Sequence, residues 1–407
     1  MVPTASAIGM DYVVLAHQLD RCLKKALGEQ TTVLDCYFGP PLPEEAQQDV
    51  DPDSLLRALR GLRKRVQTSV SEQPRRTYLT KQLDAMVLLV RFALEEEMTF
   101  QERVQTGLDT DVITIRSERV EELQEEAYRA LIRTEQRADL ATMAMRWRKR
   151  SQTTGDEVVQ LAQEASRKAR ESTQRLLSEF PETEKVEFRS VTDAPWSAYH
   201  HYLGNYKGLI EINIKLPRSK YGLWGWVTHE TYPGHQTQAV YRELGYNRGE
   251  FDVEATVAVI NTPDCTIGEG LADSGTRILS ADHSLSQGEQ ISESLAELRR
   301  ASGINTLVML QQQKRSEAEA LRYLVDAGAL EEEYAKAQMR FMTDTVWGPY
   351  GFTYFVGGWL VRSFFQAARE ANLLDEFVRA LYRELHTPST LKARIRELGL
   401  RLPPLTG

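Results

Sequence analysis

The chain has 407 residues, of which 42% are hydrophobic and 27% charged, and its formal net charge is −8. That profile is ordinary for a globular protein large enough to bury a substantial core. The acidic balance argues against nucleic acid as the main partner, because such binding favours a basic surface.

Read in chain order, the first 185 residues predict helices separated by short breaks. Asp51-Pro52 is an N-cap and first-turn pair, and Leu55, Leu59, Leu62 and Val66 follow on one face. Leu79, Leu83, Met86, Val87, Val90 and Leu94 form a second stripe. A third, Val158, Leu161, Ala165, Ala169 and Leu176, follows Thr154-Gly155 and is expected to end at Phe180-Pro181. Residues 186–216 change character: Val186-Glu187-Phe188 and Leu209 to Ile214 alternate as strands do, and Pro217 closes them. A helix should start near Leu223. From residue 286 the pattern is helical again, with breaks expected at Gly303, Gly328, Trp347-Gly348-Pro349 and Thr387-Pro388, and Gly399 ending the last helix. The expected fold is mainly α, with one small β-sheet beside the helix that begins near Leu223. Two regions are expected, 1–185 and 186–407, within one continuous unit. Cys22, Cys36 and Cys265 show no Cys-x-x-Cys spacing, so neither a disulfide framework nor a thiolate metal site is implied. With no basic-then-apolar leader and no apolar run near ~18 residues, the expected location is cytoplasmic, with no membrane partner.

Residues 229–235 read His-Glu-Thr-Tyr-Pro-Gly-His and carry the chemistry. Zinc prefers imidazole nitrogen and carboxylate oxygen, and a hydrolytic site needs a base beside the activated water. In the usual His-Glu-x-x-His signature the two histidines are one helical turn apart. Here the spacing is six (235 − 229), which on an ideal helix turns through about 600° and leaves the rings about 120° apart. Pro233-Gly234 is the expected remedy: proline disrupts the helical ladder, and glycine accepts the φ that a bulge needs. A third ligand should come from Glu269, which lies in Gly268-Glu269-Gly270-Leu271-Ala272-Asp273. Asp273 is four residues on, so a helix would stack it over Glu269. This resembles thermolysin-like zinc sites, in which the aspartate hydrogen-bonds a ligand histidine and fixes its tautomer. The expected assignments are therefore His229, His235 and Glu269 to one Zn²⁺ per chain, Asp273 to His229, and Glu230 to the role of base.

His-Glu-x-x-Pro-Gly-His followed by Glu-Gly-x-Ala resembles the bacterial family DUF885, and more remotely the all-helical zinc carboxypeptidases and oligopeptidases. Ile212-Asn213-Ile214 and Tyr354-Phe355-Val356-Gly357-Gly358 extend the resemblance, which covers roughly residues 195–400. The chain departs from the family at Gln236, where a second histidine is common, and at Leu271, where tryptophan is common. The resemblance implies a large helical zincin-like metallopeptidase fold and a tyrosine, Tyr354 rather than Tyr350, as donor to the oxyanion. It also implies that an edge strand, here Leu209 to Ile214, lends hydrogen bonds to an extended substrate. His200 or His201 could reach the pocket, with a surface loop equally compatible. The implied activity is zinc-dependent hydrolysis of a short peptide or small amide. Two rivals share the residues: a non-haem iron enzyme on the same two histidines and carboxylate, and a non-enzymatic peptide-binding protein that keeps a structural metal. Glu230 speaks against the first, and the lack of a fourth ligand against the second.

Overall fold

The computed structural model describes residues 5–193 and 198–405, and the chain is mainly helical. The helix Pro52–Ser69 begins where the Asp51 side chain accepts from the Ser54 amide, and it buries Leu55, Leu59, Leu62 and Val66. It lies beside Ala7–Leu27 and Gln73–Ala93, the second of which carries the next stripe. The third stripe is Asp156–Leu176, ending four residues before Phe180 because Leu177 is already extended. Among the described residues no helix is long and apolar enough to cross a membrane.

The hydrophobic core does not divide at residue 185. Tyr12, Leu19 and Leu59 pack in one cluster with Tyr246, Val257 and Val346. Phe100, Leu123 and Trp147 share another with Leu298, Leu324 and Phe352. Ala169 and Leu177 join Tyr241, Phe364 and Phe377 in a third. These clusters join the N-terminal helices to elements from the other half of the chain, although Pro52–Ser69 itself packs on Ala7–Leu27 and Gln73–Ala93.

Instead of one sheet, the described residues form three. Leu34–Tyr37 pairs antiparallel with Val257–Val259, and Gln152–Thr153 pairs with Arg218–Ser219. The third sheet has Lys207–Asn213 at its centre, parallel to Lys185–Val191 and antiparallel to Ala198–Gly204. This corrects the expected edge strand: residues 207–213 are paired on both sides, so their backbone groups are already used. Among the described residues the outer strand on the pocket side is Ala198–Gly204, whose sequence Ala-Tyr-His-His-Tyr-Leu-Gly hides its alternation behind two histidines. The turn into the central strand passes through Gly204, Asn205 and Tyr206, all with positive φ.

The helix predicted near Leu223 is Leu223–Glu230. The expected breaks at Gly328, Trp347-Gly348-Pro349 and Thr387-Pro388 coincide with element ends. Gly303 is the exception, buried within the unbroken helix Gln287–Gln311, where packing overrides propensity. Gly61 offers a stability test. It is an exposed position within Pro52–Ser69, and an added Cβ would meet nothing within 4 Å. Gly61→Ala should therefore stabilise the protein by about 0.5–1 kcal/mol in a denaturant titration; a lower midpoint would show that the loss of backbone freedom is not the governing effect there.

Candidate metal centre

The His229 helix stops at Glu230. Thr231 still donates its amide to the Val227 carbonyl at 2.8 Å, and then the chain reverses so that the Gly234 amide reaches Thr228 O at 3.1 Å. The Tyr232–Pro233 peptide is cis. A new helix, His235–Arg248, starts immediately, its Gln238 amide bonded to Gly234 O at 3.0 Å. The motif is thus two helices joined by a tight link, not one helix with a bulge. The expected reason for glycine also changes. Gly234 has φ −76°, a value open to any residue; what demands glycine is space, since an added Cβ would lie 1.9 Å from the His229 carbonyl oxygen.

The link brings the two rings together, with centroids 4.8 Å apart and planes at 88°. Glu269 meets them from the helix Pro263–Asp273. Its Oε2 lies 3.4 Å from His229 Nε2 and 3.7 Å from His235 Nε2, and one ligand atom from each of the three side chains falls within 4.8 Å of the others. Tetrahedral donors about 2.0–2.1 Å from a zinc ion stand about 3.3 Å apart, so these separations suit a shared ion. The decisive feature is Glu269 Oε2, which is buried and has no hydrogen-bond partner among the described residues. Its sister Oε1 accepts from Tyr350 Oη at 2.6 Å. An orphaned carboxylate oxygen facing two imidazole nitrogens is costly unless a cation sits between them. The donor set therefore fits zinc.

The surroundings orient these groups. Asp273 Oδ1 accepts from His229 Nδ1 at 2.9 Å; the carboxylate requires that nitrogen to carry the proton, so Nε2, which faces Glu269, is the atom left to bind an ion. The other Asp273 oxygen is 2.9 Å from Arg300 Nε. Burial alone would raise both carboxyls. Instead His235 and His229 hold Glu269 far below the usual range, and Arg300 with His229 holds Asp273 down to about 2. Burial likewise opposes charge on both imidazoles, yet the carboxylates raise them. This is a cluster that favours a cation. Removing the Asp273 carboxylate should weaken zinc binding about 10–100-fold, measured for Asp273→Ala by competition with a chromogenic chelator; an unchanged affinity would deny the orienting role.

The remaining predicted residues fall around one cavity of about 320 Å³, which Glu230, Tyr350, Tyr354, His229, His235 and Glu269 all line. Tyr350 is committed to Glu269, whereas Tyr354 lies over the His229 ring, centroids 6.3 Å apart and planes at 29°. Both tyrosines arrive because Gly357 and Gly270 let the segment Thr353–Gly357 meet the Glu269 helix backbone to backbone; a Cβ on Gly357 would stand 2.0 Å from Thr266 O. His200 and His201 lie on a strand, not a surface loop. His200 lines the cavity and contacts Gln236 Oε1 at 3.0 Å, while His201 turns to Glu211 at 3.1 Å. Burial pushes His200 down to about 3, so it is neutral near pH 7. Gln236, where the resembled family tends to carry histidine, is fully buried and also donates to Glu184 Oε1 at 3.2 Å. It joins Arg170, Glu184 and Tyr232 in a buried polar network beneath the link. Sequence reasoning missed Arg300, the structural task of Gln236, and Asp35 on the cavity wall. Arg300 lies in Gln287–Gln311, and no spacing rule ties it to Asp273.

No protein-family model matches the chain, and no curated protein matches it. Solved structures that share its fold include the following two. One, from Colwellia psychrerythraea, is provisionally called a lipoprotein: TM-score 0.60, 14% identity, covering 98% of this chain and 77% of that one. The other, from Shewanella oneidensis, is provisionally called a lipoprotein of unknown function: TM-score 0.56, 11% identity, covering 96% of this chain and 82% of that one. At such identities the likeness concerns the fold alone.

Proposed function

We propose that this chain is a zinc-dependent hydrolase of peptide or amide bonds. The observation that carries the reading is the buried, unpartnered Glu269 oxygen facing two histidine nitrogens at 3.4 and 3.7 Å, with Glu230 on the same cavity wall. The described residues supply three such ligands and no fourth, as expected of an open catalytic site rather than a closed structural one. Membership of DUF885 and a zincin-like character of the fold belong to the same proposal and rest on the motif. A reducing, cytoplasmic location is consistent with the three unpaired cysteines.

His229, His235 and Glu269 would hold the ion, which when bound supplies a Lewis acid that brings the pKa of water toward ~7. Glu230 takes the proton from the attacking water and passes it to the leaving amine. Tyr354 donates to the oxygen of the substrate carbonyl as negative charge develops on it. Asp273 and Tyr350 hold His229 and Glu269 in place, so the ligand atoms need no rearrangement during turnover. An extended substrate would run along the outer strand Ala198–Gly204, whose Ala198, Tyr199, His200 and Tyr202 line the cavity. The cavity volume suits a short peptide or small amide.

The reading predicts one divalent ion per chain, with zinc preferred. Elemental analysis of the purified protein, paired with a peptide-library cleavage screen, tests it. Two tightly held ions, none after zinc supplementation, or a zinc-loaded protein that cleaves nothing would each refute the reading at a different step.

A further inference from the structure

Away from the three ligands, the cavity wall carries charged groups that the hydrolytic chemistry leaves unused. Arg242 and Asp264 face it, but they spend their charges on each other through two bonds of 2.7 and 2.6 Å. Asp35 is different. It lies in the strand Leu34–Tyr37, and its Oδ1 accepts from Tyr199 Oη at 2.7 Å. No cationic side chain among the described residues forms an ion pair with it. The residue is exposed, yet what it is exposed to is the cavity. Burial raises its carboxyl above the usual range, the Tyr199 bond pulls the other way, and Asp35 is near enough to sense both His235 and Glu269. Asp35 therefore presents to the cavity a carboxylate that Tyr199 orients and that no internal cation neutralises, which leaves its charge available to a group from outside.

We infer that Asp35 is a recognition group for a cationic amine on the substrate, held while the adjacent carbonyl sits at the His229–His235–Glu269 cluster. The cavity's charge argues for this sign. Arg242 and Asp264 cancel, Glu230 and Asp35 are both acidic, and a substrate anion would meet two carboxylates on this wall. A primary ammonium meets one carboxylate it can pair with, by a charge-assisted hydrogen bond. Two sources supply that chemistry: the α-amino group of an N-terminal residue, or the side chain of a lysine. The inference rests on the metal site of the proposed function, not on turnover, for the position of the carbonyl.

Three hydroxamates separate the cases on the zinc-loaded full chain: leucine hydroxamate, Nα-acetyl-lysine hydroxamate and N-acetyl-leucine hydroxamate. The last has no cation. Calorimetry should show at least one of the cationic pair binding about 10-fold or more tighter than the neutral compound, the scale of one charged hydrogen bond. Which of the two does so names the source. Asp35→Asn keeps the shape and can still accept from Tyr199, so its zinc content should be unchanged while the affinity gap collapses. If all three compounds bind wild-type protein within twofold, if none binds, or if the gap survives in Asp35→Asn, the inference is overturned. The wild-type comparison alone decides the matter should that variant fail to fold. The hydroxamates read Asp35 without turnover, so a zinc-loaded protein that shows the gap but cleaves no peptide refutes the hydrolase reading and leaves this one standing. Failure to load zinc, seen by metal analysis, refutes the metal site beneath both.

Discussion

Glu230→Gln should keep its zinc and lose turnover by about 10²-fold or more. Glu230 is the last residue of its helix, half-exposed on the cavity wall, and it stands outside the group of three that could share an ion. Glutamine preserves its shape and leaves the ligand cluster alone, but it cannot take a proton from water. His235→Ala is the contrast. It removes one of the two nitrogens facing the orphaned Glu269 oxygen, so metal and activity should vanish together. Elemental analysis and single-turnover cleavage on both variants check the pair. If Glu230→Gln also emptied the site, Glu230 would be a ligand, and the separation of base from ligands would be wrong.

The geometry behind that proposal was legible in the sequence because it depends on neighbours. Spacing along a helix places Asp273 over Glu269, and His229-Glu230 are adjacent by covalent structure, so local geometry suffices for both. The amphipathic stripes were equally legible, since Leu55, Leu59, Leu62 and Val66 repeat at the helical period and bury accordingly. What the sequence hid is non-local. The strand order puts Lys207–Asn213 between two partners, and nothing within that segment tells a central strand from an edge strand of similar composition. Ala198–Gly204 escaped notice because its alternating residues are polar on both faces, His200 bonded toward Gln236 and His201 toward Glu211. Arg300 and Asp35 reach the site from helix and strand segments far from it in the chain, and their charges acquire meaning only through contacts made by the fold. Tyr350 and Tyr354 show the same limit more finely. Four residues apart, both arrive at the centre, yet the spacing does not say that it is Tyr350 whose hydroxyl bonds Glu269.

Gly234→Ala should destabilise the protein and strip it of zinc at the same time. The link between the two histidine helices is held by the Gly234 amide on Thr228 O at 3.1 Å and the Gln238 amide on Gly234 O at 3.0 Å. A Cβ at residue 234 would stand 1.9 Å from His229 O, 2.6 Å from Thr228 O and 2.7 Å from the His229 carbonyl carbon. All three are backbone atoms, so no side chain can swing aside to make room. Overpacking of this kind costs roughly 1–3 kcal/mol, and more where the backbone itself must move. Because the crowded atoms belong to the end of the His229 helix and residue 234 adjoins His235, the required shift changes the separation of the two histidines, on which the shared site depends. The expected result is a melting temperature lower by several degrees and a loss of zinc affinity at least as large as that of Asp273→Ala, because a displaced ligand costs more than a misoriented one. Gly61→Ala, the same chemical change where nothing crowds the new methyl, should move the melting temperature the opposite way. Scanning calorimetry with and without zinc, alongside chelator competition, separates the two contributions. If Gly234→Ala bound zinc as tightly as the parent, the link could yield without moving either histidine, and the close approach at residue 234 would not be what sets the six-residue spacing.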